Sequence, residues 1–182
     1  MEKFNVPGRG EVSATNQVLF DTLQKGIGMV PNLYAIMAYS ETGLGTYLNL
    51  QNSKTSLSRK EKEVINLVVS QKNDCRYCQS AHTVLGKMNG FTDEQVLEIR
   101  RGTASFDAKL DALAKFTLEA TANRGHVSDE TLNKFFAAGY TKGSIVDVII
   151  AIADKVVANY LHNLTNIPID FPVAPELEKA TA

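Results

Sequence analysis

Apolar residues return at intervals of three and four through most of this chain, the period of a helix with one buried face. No stretch alternates residue by residue as a half-buried strand would. Ser58-Arg59-Lys60-Glu61 has the form of a capping box and leads into Val64, Ile65, Leu67 and Val68. Asp74 is a candidate N-cap for a helix that stops near Gly90. Thr92-Asp93-Glu94-Gln95 opens a short helix closed by Gly102. Leu110, Leu113, Phe116, Thr117 and Ala120 follow at helical spacing before Asn123 and Gly125, and Ser128 caps a segment over Leu132–Ala138 that ends at Gly139. A last long helix begins at Thr141 or Ser144 and runs to about Leu164; its Ile145–Ala153 part is apolar on every face and is expected to be central. Upstream, Gln17–Lys25, Asn32–Tyr39 and Gly43–Asn52 read as three more helices.

Proline placement agrees. Pro7 and Pro31 lie early, Pro168, Pro172 and Pro175 lie late, and none falls between, as a helical body requires. The expectation is an all-α protein, with a single helical domain over residues 1–165 and an extended, proline-rich tail over 166–182. That tail would lie on the surface or reach a neighbouring subunit. Sliding the chain by 84 residues sets Glu63-Val64-Ile65 on Asp147-Val148-Ile149, Cys75 on Asn159 and Cys78 on His162. This echo is compatible with two related helical halves and equally with chance.

Composition narrows the function. At 182 residues the chain is long enough to bury a substantial core, and 44% hydrophobic with 21% charged residues is ordinary for a globule. A formal net charge of −1 supplies no field to gather nucleic acid or anionic lipid. The apolar runs Val64–Val69 and Ile145–Ala153 are too short for a membrane span. The opening MEKFNVPGRGEVSA has no apolar export core, so the expected location is cytoplasmic, where a disulfide is transient rather than structural.

Chemistry concentrates in one place. Cys75 and Cys78 are the chain's two cysteines, and His82 follows four residues after the second. At the start of a helix the unpaired N–H groups and the dipole favour a thiolate. At about 100° per residue Cys75, Cys78 and His82 share an arc of about 60°. An imidazole placed there can take a thiol proton. A break at Asn73-Asp74 would fold the preceding helix back and bring Glu63 level with His82. Otherwise Glu63 is a solvated first-turn acid like Glu61. A zinc site could draw on Cys75, Cys78 and His82 with His126 or His162 as fourth ligand, but no second CxxC or HxxxH is present, and neither metal nor organic cofactor is expected. A helix ahead of the CxxC excludes a thioredoxin-like setting. His126 falls in a loop, and His162 either packs or lines the same cavity. Tyr34, Tyr39, Tyr47, Phe135 and Phe136 are expected in the core rather than in a pocket.

Leu57-Ser-Arg-Lys-Glu-Lys-Glu63 followed by Cys75-x-x-Cys78-x-x-x-His82 resembles the carboxymuconolactone decarboxylase/alkylhydroperoxidase D-like (AhpD-like) superfamily. Val30-Pro31-Asn32 and the 57–89 block look like its peroxidase-related branch. The resemblance implies the AhpD-like helical fold as a homo-oligomer, often a trimer or hexamer. It implies Cys78 as the thiol that a hydroperoxide oxidises to sulfenic acid, Cys75 as proton donor and resolving thiol, and Glu63 with His82 as proton relay. A dithiol reductant, such as a lipoyl protein or a thioredoxin-like donor, would restore the pair. Tyr77 stands where the best-known member has histidine, so a shorter relay is expected, Tyr77 is a candidate wall of the site, and the choice of reductant does not transfer. The decarboxylases lack this cysteine pair. The competing readings are a non-enzymatic redox-sensing or ligand-binding oligomer and a metal-binding module.

Overall fold

The structure, a computed structural model, describes residues 4–177. A 3-10 turn at Arg9–Glu11 precedes α1 (Ala14–Ile27), α2 (Asn32–Met37), α3 (Gly43–Gln51), α4 (Arg59–Lys72), α5 (Arg76–Met88), α6 (Asp93–Arg100), α7 (Ala108–Ala122), α8 (Asp129–Ala137) and α9 (Lys142–Thr165). All regular structure among the described residues is helical. The predicted caps form: Glu61 N–H donates to Ser58 Oγ at 3.2 Å while Ser58 N–H donates to Glu61 Oε2 at 2.7 Å, and Thr92/Gln95 and Thr141/Ser144 build equivalent boxes.

Helix α4 is the axis of the molecule, touching α5, α6, α7 and α9. Val64, Ile65, Leu67, Val68 and Val69 are fully buried on it, each burial worth about 1.5–3 kcal/mol against exposure. Glu61 is buried too, which corrects the expectation of a solvated acid. Burial would push its carboxyl up, but bonds from Ser58, Lys109 and Tyr140 outweigh that and hold it down at about 2. One core joins α4 to α6–α9 and centres on Phe135, stacked on Phe116 and on Tyr140, each at 4.4 Å. A second core joins α1–α3 to the start of α5, the end of α9 and the tail, and it encloses both cysteines.

Two sequence expectations change. The Ile145–Ala153 part of α9 is central on one face only: Val148 is buried, whereas Val146 and Ile149 are 58% and 42% exposed. The 84-residue echo has no structural counterpart, because it sets the α4–α5 break inside unbroken α9. Up to residue 177 the tail lies on its own chain, Ala174 N–H donating to Ser80 Oγ and Arg76 and Arg100 donating to the Ala174 and Pro175 carbonyls; residues 178–182 fall outside the described part.

The link between α4 and α5 is three residues long, Asn73, Asp74 and Cys75. Asn73 ends α4, and Asp74 takes the left-handed conformation (φ 51°). Asp74 N–H then bonds Gln71 C=O and Cys75 N–H bonds Ser70 C=O, the double closure of a Schellman motif. Aspartate tolerates this conformation better than most residues, and a β-branched residue resists it. Asp74→Gly is expected to leave stability level or raise it by a few tenths of a kcal/mol, whereas Asp74→Val should cost about 1–2 kcal/mol in urea unfolding. Equal stability of the two variants would contradict this account of the turn.

Candidate active site

The hinge decides where the sulfurs stand. Asp74 was expected to cap α5 with both cysteines in its first turn. Instead Asp74 completes the turn and Cys75 is itself the N-cap, its Sγ accepting the Cys78 N–H at 3.2 Å. Cys78 follows at the third helical position, where the amide dipoles still favour an anion. The thiols are free. Hydrogen bonding from the Cys75 thiol pulls Cys78 below the ordinary thiol range, against burial and helped by the Lys155 ammonium and the Asn159 amide. The same bond, together with burial, drives Cys75 far up. Of the two sulfurs, Cys78 is thus the one more readily ionised and Cys75 the one that keeps its proton.

The hairpin brings Glu63 to His82 as its spacing predicts. Glu63 Oε2 meets His82 Nδ1 at 2.8 Å, and Asn66 Nδ2 donates to Glu63 Oε1 at 3.1 Å. Burial and the nearby Lys155 charge lower the His82 imidazole, which stays neutral. Burial opposes ionisation of Glu63, but His82, Lys155 and Asn66 reverse that and keep it a carboxylate. A carboxylate accepting from Nδ1–H leaves Nε2 as the free basic nitrogen.

Two cavities meet at His82. The larger, about 410 Å³, is lined by Leu33, Tyr34, Tyr47, Tyr77, Val84, Met88 and Phe171 around Cys78, His82 and Lys155. The smaller, about 230 Å³, has a mixed lining that includes Lys62, Glu63, Asn66 and Asp154 beside Leu50 and Ile150. Cys75, with no exposed surface, lines neither.

Tyr77 does form a wall: its hydroxyl accepts the Leu33 N–H at 3.3 Å, and its ring stands edge-on to Phe171 at 5.6 Å. His162 packs behind it, 5.2 Å between ring centres, with Nε2 on the Ile167 carbonyl, and does not line the cavity. His126 is exposed in the α7–α8 connection. Among the described residues no three Cys, His, Asp or Glu side chains are grouped so as to hold a metal ion. The expectation for the tyrosines is corrected: Tyr34 and Tyr47 line the cavity, and Tyr39 is 58% exposed.

Sequence reasoning missed Lys155, Asn159 and Asp154. The available signal was a charged pair, Asp154-Lys155, inside an otherwise apolar stretch of helix.

Residues 41–120 match the Carboxymuconolactone decarboxylase family. The fold is that of an uncharacterized peroxidase-related protein from Silicibacter sp. TM1040, with a TM-score of 0.79 at 21% identity over 91% of this chain and 90% of that one. It is equally close to an alkylhydroperoxidase AhpD core protein from Ralstonia eutropha JMP134, with a TM-score of 0.82 at 17% identity over 92% of each chain. The chain is thus similar to the carboxymuconolactone decarboxylase family over residues 41–120 and shares the AhpD-like helical fold. The debrominase Bmp8, seen as a cysteine-to-alanine variant in complex with 2,3,4-tribromopyrrole, shares the fold at a TM-score of 0.74 and 14% identity, over 93% of this chain and 94% of that one. No curated protein matches in sequence.

Folded His82 and Glu63 both bind protons less readily than in the unfolded chain, whose ordinary values are 6.5 and 4.5. The stability each contributes is therefore present above its ordinary value and is lost as pH falls through the folded one. The melting temperature should fall between about pH 7 and about pH 4, and His82→Gln should flatten the part that begins near 6.5. A wild-type melting temperature unchanged over that range would contradict a buried neutral imidazole.

Proposed function

We propose that this protein is a thiol-dependent peroxidase that reduces organic hydroperoxides through Cys78 and Cys75. The observation that carries the reading is the bond between Glu63 and His82 at the edge of an apolar cavity that contains Cys78 but not Cys75. Cys78 thiolate attacks the terminal peroxide oxygen. The O–O bond breaks, the sulfur becomes a sulfenic acid, and the departing alkoxide takes up a solvent proton relayed through His82 to leave as an alcohol. Cys75, as proton-holding thiol, then attacks the sulfenic sulfur, forming the Cys75–Cys78 disulfide and releasing water. A dithiol donor such as a lipoyl protein or thioredoxin-like protein returns two electrons and two protons. The tyrosine, leucine and phenylalanine lining favours a substrate with an apolar body over hydrogen peroxide.

Treatment of the reduced protein with cumene hydroperoxide should give an intramolecular disulfide, visible as a loss of two hydrogens in the mass of the Cys75–Cys78 peptide. Cys78→Ser should abolish hydroperoxide consumption coupled to a dithiol donor, and Cys75→Ser should stop after a single turnover with a trappable sulfenic acid. Thiols that stay reduced in excess hydroperoxide would end this reading.

The apolar aromatic cavity beside a thiolate also supports a second reading, in line with the debrominase of the same fold. Two thiols would reduce a carbon–halogen bond on an apolar ring, giving the C–H compound, halide, a proton and a disulfide. Halide release in place of hydroperoxide loss distinguishes the two.

The working form is a homo-oligomer. Val146, Ile149, Ala153, Val157, Tyr160 and Leu164 make an exposed apolar stripe at helical spacing along α9, the kind of surface that a second copy covers. Val157→Glu should shift elution in size-exclusion chromatography toward the 19.9 kDa monomer. A wild-type protein eluting as a monomer would remove the stripe from the argument.

A further inference from the structure

We propose that Lys155 of α9 is the positioning residue that keeps Cys78 ionised, leaving His82 uncharged and free to accept a proton. The inference rests on the peroxidase reading for its purpose, but its physical content is a buried ion pair between an ammonium and a thiolate. Lys155 is 2% exposed and lines the same cavity as Cys78 and His82. A lysine in such a place normally sheds its proton unless an anion is close.

The acids around it are nearly all committed. Asp154 Oδ2 pairs with Nζ at 3.7 Å, an ion pair without a hydrogen bond, and Asp154 lines the smaller cavity rather than the one that holds Cys78. Glu63 accepts from His82 and Asn66. Tyr34 from α2 and Tyr47 from α3 face the ammonium, but burial holds their phenolic protons on. Tyr77 of α5 and Cys75 at its N-cap are likewise held protonated. Cys78 remains as the group that can become an anion at neutral pH within this cavity.

The charge of Lys155 then has two effects in one direction. It favours the thiolate, and it disfavours a second cation at His82. This separates the site from a thiolate–imidazolium pair, in which the histidine already holds the proton and has no basicity left to use. Here the cation comes from a residue that does not exchange its proton, and the imidazole keeps its own.

The test reads the thiolate directly and uses no peroxide. Reduced full-length protein is alkylated with iodoacetamide from about pH 5 to about pH 9, with the Cys78 peptide quantified by mass spectrometry, for wild type, Lys155→Met, Lys155→Gln and Lys155→Arg. Wild-type Cys78 should reach its full rate well below the ordinary thiol midpoint of about 8.5. In the Met and Gln variants the midpoint should rise by a unit or more, with about a tenfold lower rate near pH 6.5, and the Arg variant should stay close to wild type. Circular dichroism establishes that each variant is folded.

Coincident wild-type and Met or Gln curves would overturn the proposal. So would a wild-type midpoint at or above about 8.5, which needs no variant to fold. A protein that passes this test but consumes no hydroperoxide would lose the peroxidase reading and keep the ion pair. One that consumes hydroperoxide with its titration unmoved by Lys155 would do the reverse.

Discussion

The arrangement depends on one residue of reversed backbone. Asp74 in the left-handed conformation turns the chain from α4 into α5 within a three-residue link, so the two helices turn back on each other immediately. A longer loop would let their register slide. With so short a turn, the residues eight forward and eleven back from Asp74 meet face to face, which puts the Glu63 carboxylate on the His82 imidazole at 2.8 Å. The same turn makes Cys75 the cap of α5, so one sulfur satisfies an orphan backbone N–H while the other faces a cavity. The fold and the chemistry share this constraint.

Around it the protein assembles an unusual density of ionisable groups in a dry setting. Glu63, Cys78, His82 and Lys155 are all buried. Unpaired, each would be costly, and in practice each would neutralise. Their mutual placement offsets that cost, holding Glu63 a carboxylate, His82 a neutral imidazole and Lys155 an ammonium, and easing ionisation of Cys78. The two cavities sort the surroundings. Cys78 lines the apolar chamber, Glu63 lines the smaller mixed one, and the imidazole lines both.

The tail completes the chamber. Phe171 sets its edge against Tyr77, and Asp170 accepts the Asn32 N–H at 2.7 Å, tying the tail to the start of α2. Buried Arg100 donates to Gln71, Gln79 and the Pro175 carbonyl, which pins the same segment across α4, α5 and α6. Phe171 is the part of this tail that lines the apolar cavity. Its closure is built from polar contacts at the rim and aromatic contacts inside.

The sequence alone carried the helices, because their information is local. Capping boxes at Ser58 and Thr92, glycines after helix ends and the absence of proline act within a turn or two of the chain. It also carried the Glu63–His82 pairing, since a short break between two helices leaves little freedom in register. It did not carry the part played by Lys155, Asn159, Tyr34 or Tyr47, which stand 20 or more residues from the thiol motif along the chain. Which face of α9 turns inward is decided by packing against α4 and α5, and apolar residues all around that helix gave no direction. Local rules fixed where each helix begins and ends, whereas the charge beside the sulfur came from a segment that only the folded chain brings near.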